Sequence, residues 1–269
     1  MDARSPSDFN RKRFVDPLAV ASGFGVGAIV GLTGVGGGSL MTPLLMGVFK
    51  LHPAVAIGTD LWFAGVTKSS GAWAHHRLGH VDVRITGLLL TGSLPAAMVV
   101  VVLMHQTGLI PQWANGLTVG LGIALLLTAL SVACRSAWHA VGMRLERWLP
   151  ARHKPTLTVA AGALLGVLVA LTSIGAGALG ATLILLLHPR LPPQRLVGTD
   201  IAHAVPLTLV AGIGHATLGH VDWSLLAALL VGSLPGIWVG ARLTRLLPET
   251  LVRATLCLSL VGAGFKVLI

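Results

Sequence analysis

"AIGTDLWFAG", residues 56–65, is an apolar run with one carboxylate, Asp60, set inside it. The same arrangement returns as "LVGTDIAHAV", residues 196–205, around Asp200. Working outward, "LGHVD" at 78–82 recurs at 218–222 and "GSLP" at 92–95 recurs at 232–235, each displaced by 140 residues like the Gly-Thr-Asp triplets themselves. Pro53 and Pro193, and His75 and His215, keep that displacement, and upstream "LTGVGGGSL" (32–40) matches "LTSIGAGAL" (171–179) displaced by 139. A register held this long is not produced by apolar composition alone, so the chain reads as two copies of one unit.

The 269 residues are 54% hydrophobic and 10% charged, with a mean hydropathy of +0.83. A soluble domain carries about a quarter charged residues, so the solvent implied here is the bilayer, where a spanning helix needs about 20 apolar residues. The formal charge of +10 would suggest nucleic acid in a soluble protein. Here Lys and Arg gather in a few loops, which marks orientation and contact with anionic lipid and excludes a nucleic-acid partner. Tyr is absent, and Trp113, Trp138, Trp148 and Trp223 stand near the ends of apolar runs, as an interfacial belt requires. Cys134 and Cys257 have no CxxC or Cys/His spacing and read as small packing residues. The basic cluster before the first apolar segment resembles a secretory signal, but a similar segment recurs mid-chain, so it reads as part of the fold.

Each unit predicts the same series of helices, at 17–33, 39–49, 54–75, 83–104 and 114–133, then 156–172, 178–188, 195–215, 223–244 and 250–268. They are too long and too evenly apolar for barrel strands, which alternate. The fold class is therefore an all-α polytopic membrane protein. It divides into a basic amino terminus (1–16), a first transmembrane repeat (17–133), a basic linker (134–155) and a second repeat (156–269). The second segment of each unit is short and follows a glycine-rich break, "GVGGG" at 34–38 or "IGAG" at 174–177, so the first two segments form one broken or re-entrant element. Placing the amino terminus, the linker and the 75–84 loop on the cytoplasmic side follows the positive-inside rule. With each broken pair counted as one crossing, this gives eight crossings and parallel repeats, at the expense of leaving Arg242 and Arg245 outside.

A helix restarting after a glycine break presents unpaired N–H groups and the positive end of its dipole, and glycine lets an anion approach that backbone. Gly36, Gly37, Gly38 and Ser39 form one candidate anion cradle; Gly175 and Gly177, with Ala176 and Ala178, form the other. Tight helix packing of the small-xxx-small kind is the competing explanation. No strand precedes the glycines, which excludes a nucleotide fingerprint. Asp60 and Asp200, with Thr59 and Thr199 beside them, fit either capping of a helix start or glycine turn or proton coupling. His203 shares a face with Asp200; Phe63 holds the equivalent place in the first unit. Lys68 attracts an anionic substrate or snorkels to the interface, and its counterpart is Thr208. "HHRLGH" lacks an acid or Cys at ligand spacing, so no metal site and no cofactor are expected.

These motifs, "GLTGVGGGSLMTPLL", "AIGTD", "HHRLGHVD" and "GSLPAA" with their echoes, resemble the TauE/SafE sulfite exporter family over nearly the whole chain from residue 17. The resemblance implies a multi-pass transporter of the bacterial inner membrane that moves a small anion, sulfite or sulfonate type, usually outward, with its amino terminus cytoplasmic by the charge argument above. It implies roles for the glycine turns at 36–38 and 175–177 and for the Thr-Asp steps at 59–60 and 199–200. Ala176 departs from a full glycine run. Alternating access between the repeats is the expected mechanism. A passive channel, or an intramembrane enzyme pairing Asp60 with Asp200, are the rivals, and a homodimer is left open.

Overall fold

A computed structural model describes residues 16–33, 38–107, 110–243 and 249–268. Among these the chain is helical throughout, with no strand. The elements are α1 (Pro17–Thr33), α2 (Gly38–Gly47), α3 (Pro53–Arg77), α4 (Val83–Thr107), α5 (Ile110–Ala133), α6 (Arg135–Trp148), a short 3-10 turn (Ala151–His153), α7 (Lys154–Thr172), α8 (Ala178–Leu187), α9 (Pro193–Thr217), α10 (Trp223–Leu243) and α11 (Glu249–Leu268). Among the described residues, five helical stretches are long and apolar enough to cross a membrane: 83–106, 116–133, 151–172, 193–217 and 223–240. The helix the charge pattern does not predict is α6, an amphipathic segment inside the basic linker.

The central pair is α3 and α9, whose contacts fix their relative direction. A Cβ on Gly58 would meet the His220 carbonyl, and one on Gly65 would meet Leu209. The Trp62 indole donates to the Gly212 carbonyl at 3.0 Å. Gly71 lies against Ile201, and Gly198 lies under the His80 carbonyl. As numbers rise along α3 they fall along α9, so the two helices are antiparallel.

The outer pairs run the other way. On α1, Gly23 and Gly27 sit under the backbone of Leu229 and Ser233 of α10, and on α7, Gly162 and Gly166 sit under that of Leu89 and Ser93 of α4. Both pairs are parallel, and in each the glycines four residues apart let the backbones touch, as helices do where lipid supplies no hydrophobic drive between them. The contacts come in matched sets. Each unit's first helix packs on the fourth helix of the other unit.

These directions correct the parallel arrangement expected from the sequence. The reason lies in the broken elements. The α7 chain runs to the level of His215, near the far end of α9, where the Ala170 carbonyl meets His215 Nε2 at 2.9 Å. It then turns at 173–177, and α8 runs back to the end from which α9 starts. The pair α7–α8 is a hairpin, entering and leaving at one end, and not a single broken crossing. In the same way α1 starts at the Trp223 end of the bundle, and α2 leads directly to Pro53 at that end. Each unit then reverses the chain an odd number of times, which inverts the second unit relative to the first. The linker and the amino-terminal start of α1 accordingly lie at opposite ends of the bundle, not on the one side assigned to them above. Arg242, at the last turn of α10, falls at the linker end.

Candidate functional site

The turn between α7 and α8 is the centre of the site. Helix α7 ends on Ser173 in the left-handed region (φ 60°), with its N–H on the Val169 carbonyl. Gly175 (φ 126°) and Gly177 (φ 147°) then take backbone shapes that disfavour any side chain, and Gly177 stands at the N-cap of α8 with no side-chain cap of its own. Residues 172–177 are buried, so the break faces protein, as irregular backbone at membrane depth must. Ile174 packs with Leu121, Leu125 and Leu260, and Leu40 and Met46 of α2 pack on the same cluster. The second break therefore borders the short helix of the first unit. The first break, with Gly36 and Gly37, lies outside the described residues, and Gly38 and Ser39 are placed only as the first residues of α2.

Lys68 is buried, 6% exposed. It does not snorkel to an interface: its ammonium donates to the carbonyl of Ala176, within the turn. It lies within electrostatic range of both Asp200 and Asp60. Asp60 is fully buried and receives the hydroxyl of Thr42 from α2, and Ser173 lies beside it. Asp200, also buried, abuts Gly180 in the first turn of α8, where an added Cβ would overlap its Oδ1. His203 is fully buried and shares a hydrogen bond with Ser93 of α4 at 2.9 Å. Asp60 Oδ1, Asp200 Oδ1 and His203 Nδ1 are buried and make no hydrogen bond.

Neither carboxylate caps the helix that carries it. Helix α3 begins at Pro53 with His52 at its N-cap, and α9 begins at Pro193 with Pro192 at its N-cap. Each acid is the eighth residue in, two turns deep. Asp60 and Asp200 sit at different levels of the α3–α9 pair. Asp200 neighbours Ile201, which lies level with Gly71, eleven residues along α3 from Asp60, so at 1.5 Å per residue their backbones are offset by roughly 16 Å along the bundle, while Lys68 lies within electrostatic range of both side chains.

Thr59 and Thr199 each accept a backbone N–H from the opposite unit. The Asp222 N–H donates to Thr59 Oγ1 at 3.0 Å, and the Asp82 N–H donates to Thr199 Oγ1 at 2.9 Å. In each motif Gly admits the carbonyl of the other unit's loop histidine and Thr accepts the next loop's N–H. The Gly-Thr-Asp and Leu-Gly-His-Val-Asp motifs are thus two halves of one clasp, made once at each end of the α3–α9 pair. Facing histidine rings back both clasps, His75 with His80 at 5.7 Å and His215 with His220 at 5.8 Å between centroids. Among the described residues no group of three or more His, Cys, Asp or Glu could hold a metal ion.

Sequence reasoning passed over Thr42, Ser93 and Ser173. Thr42 follows the glycine break by a few residues, and its counterpart is Ala181. That asymmetry was the available signal: Thr42 and Lys68 occur in the first unit only.

A bundle of apolar helices around a buried helix start and four buried ionisable groups, Lys68, Asp60, Asp200 and His203, has the make-up of a polytopic membrane transporter. The model of the family described as Sulfite exporter TauE/SafE matches residues 19–267, and the chain belongs to that family. It is similar to "Probable membrane transporter protein YjnA" of Bacillus subtilis, 39% identical over 84% of this chain and 89% of that protein. It is also similar to "Probable membrane transporter protein YdhB" of the same organism, 30% identical over 91% and 97% of the two chains. A "Probable membrane transporter protein" of Xylella fastidiosa is 28% identical over 85% of each. No solved structure matches.

Proposed function

We propose that the chain exports a small sulfur oxyanion, of the sulfite or sulfonate type, across the bacterial inner membrane by alternating access between its two inverted halves. Each half supplies three crossing helices and one re-entrant hairpin. The observation that carries this reading is the Lys68 ammonium held on the Ala176 carbonyl, beside the buried N-terminus of α8. An anion there meets a cation, a helix dipole and glycine backbone together. By sequence equivalence the first hairpin, with Gly36, Gly37, Gly38 and Ser39, supplies the facing half of the cradle.

Charge balance then couples the anion to protons. One ammonium and two carboxylates already sum to one negative charge, and a second negative charge in a dry site is strongly unfavourable. Protons on Asp60 and Asp200 neutralise the loaded site, with His203 next to Asp200 as the relay. Proteoliposomes carrying the purified protein test this. Uptake of sulfite, sulfoacetate, taurine or thiosulfate should saturate, show counterflow and respond to a pH gradient, and Asp60→Asn should keep counterflow while losing the pH response. Flux without saturation or counterflow would make the protein a channel, and no movement of any of these anions would overturn the reading.

A further inference from the structure

At the linker end the amphipathic helix α6 lies across the last turn of α8. A Cβ on Gly142 would meet the carbonyls of Leu185 and Leu186, so the two helices touch backbone to backbone. Trp138 packs into the cluster formed by Leu185 and Leu196, and His139 Nε2 reaches the Pro189 carbonyl at 3.2 Å. Between α6 and the α8–α9 turn is a cavity of about 510 Å³. Its lining combines the apolar Leu185, Leu191 and Leu196 with the cations Arg135 and Arg190.

Glu146 is the acid near this cavity, and it is already satisfied. Lys154 donates to it at 2.6 Å and Arg190 Nε pairs with it at 3.0 Å. The hydrogen bond from Lys154 holds its carboxyl below the ordinary range, so it stays ionised and matched. Arg135 stands at the first turn of α6, and among the described residues no ion pair joins it to an acid. The cavity lies at the end of the bundle where α8 finishes and α9 starts, with Trp138 packed beside its Leu185 and Leu196 wall. A site of this kind, with leucines beside Arg135 and the guanidinium of Arg190, which Glu146 engages through its Nε alone, suits a lipid at its headgroup. The equivalent turn at the other end, between α2 and α3, carries Lys50 and His52.

We propose that this cavity is a binding site for an anionic phospholipid, its phosphate between Arg135 and Arg190 and its glycerol and upper acyl carbons on Leu185, Leu191 and Leu196. The bound lipid regulates transport. Helix α8 is one ten-residue rod with the anion cradle at its first residue and this cavity at its last turn, so whatever fills the cavity sets where the cradle sits. The regulatory half of the proposal rests on the transport reading above; the binding half does not.

Native mass spectrometry of the detergent-purified protein, titrated with phosphatidylglycerol and phosphatidylethanolamine, tests the binding. The wild type should retain phosphatidylglycerol in preference, and the double variant Arg135→Gln/Arg190→Gln should weaken that retention about tenfold. Arg152→Gln, at the same end but outside the cavity, should leave it unchanged. Equal retention of both lipids, or equal loss in Arg152→Gln, overturns the site. Thermal stabilisation by inorganic phosphate or glycerol phosphate that matches the lipid's overturns the lipid as occupant. In vesicles, flux should rise when phosphatidylglycerol is added to phosphatidylcholine, and rise less for the double variant. Retention without any lipid effect on flux removes the regulatory half. Flux absent in every lipid, with retention intact, counts against the transport reading alone.

Discussion

Lys68 is where the two halves of this molecule differ most. Its partner position holds Thr208, whose hydroxyl bonds back to the Ala204 carbonyl of its own helix. A cation buried among two carboxylates and a carbonyl is held by those groups and balances them. Lys68→Met removes that balance and the one positive side chain at the cradle. We expect anion flux to fall ten- to about a hundredfold, the range for loss of a hydrogen bond to a charged group, while the folded protein is still recovered from the membrane. Lys68→Arg should not restore the rate, since a planar fork does not replace a compact ammonium on one carbonyl. Radiotracer efflux from proteoliposomes, normalised to folded protein, checks both variants. Of these residues, Asp60, Asp200 and Lys68 were legible as sequence because a charge inside an oily run is conspicuous. Thr42 and Ser173 were not, because hydroxyls are common in membrane helices and only the fold shows which of them face a carboxylate.

At the scale of elements, the Gly-Thr-Asp clasp shows what motif reading can and cannot deliver. The two motifs were visible, each twice, and so was the displacement between copies. What the sequence could not reveal is that each motif meets the other one from the opposite unit, since that depends on the direction of α9 against α3. Gly198 and Gly58 are the points of closest approach, with an added Cβ 2.3 Å from the His80 carbonyl oxygen and 2.0 Å from the His220 carbonyl oxygen. Gly198→Ala should therefore destabilise the protein by about 1–3 kcal/mol, as overpacking does. Gly87→Ala should do almost nothing, because no atom lies near its Cβ. Thermal unfolding in detergent, followed by tryptophan fluorescence, separates the two. Equal midpoints for both variants would show that the clasp is loose. The glycine breaks were also legible, because half-length apolar helices beside Gly-rich runs are unusual. Their shape was not, since a broken crossing and a hairpin have the same composition and differ only in where the chain comes out.

For the whole molecule that last ambiguity decides the topology. Counting each broken pair as a crossing makes the number per unit even and puts the amino terminus with the linker. The hairpin makes it odd and separates them. Charge favours the hairpin as well. Among the described residues the linker end carries Arg77, Arg84, Arg144, Arg147, Arg195 and Arg242, whereas the other end has Lys50 and Lys266, the latter beside Gly47. Arg242, which violated the positive-inside rule in the eight-crossing scheme, now conforms to it. The linker should therefore be cytoplasmic and the residues preceding Pro17 periplasmic, against the orientation that the Arg11–Arg13 cluster suggests when read alone. Single cysteines test this in a background where Cys134 and Cys257 are replaced by Ala. An impermeant maleimide applied to intact spheroplasts should label Ser5→Cys and spare Ser136→Cys. In inverted vesicles the pattern should exchange. Labelling of both positions from one side would restore parallel repeats and contradict the antiparallel α3–α9 pair, because two helices related by an axis along the membrane normal must point the same way.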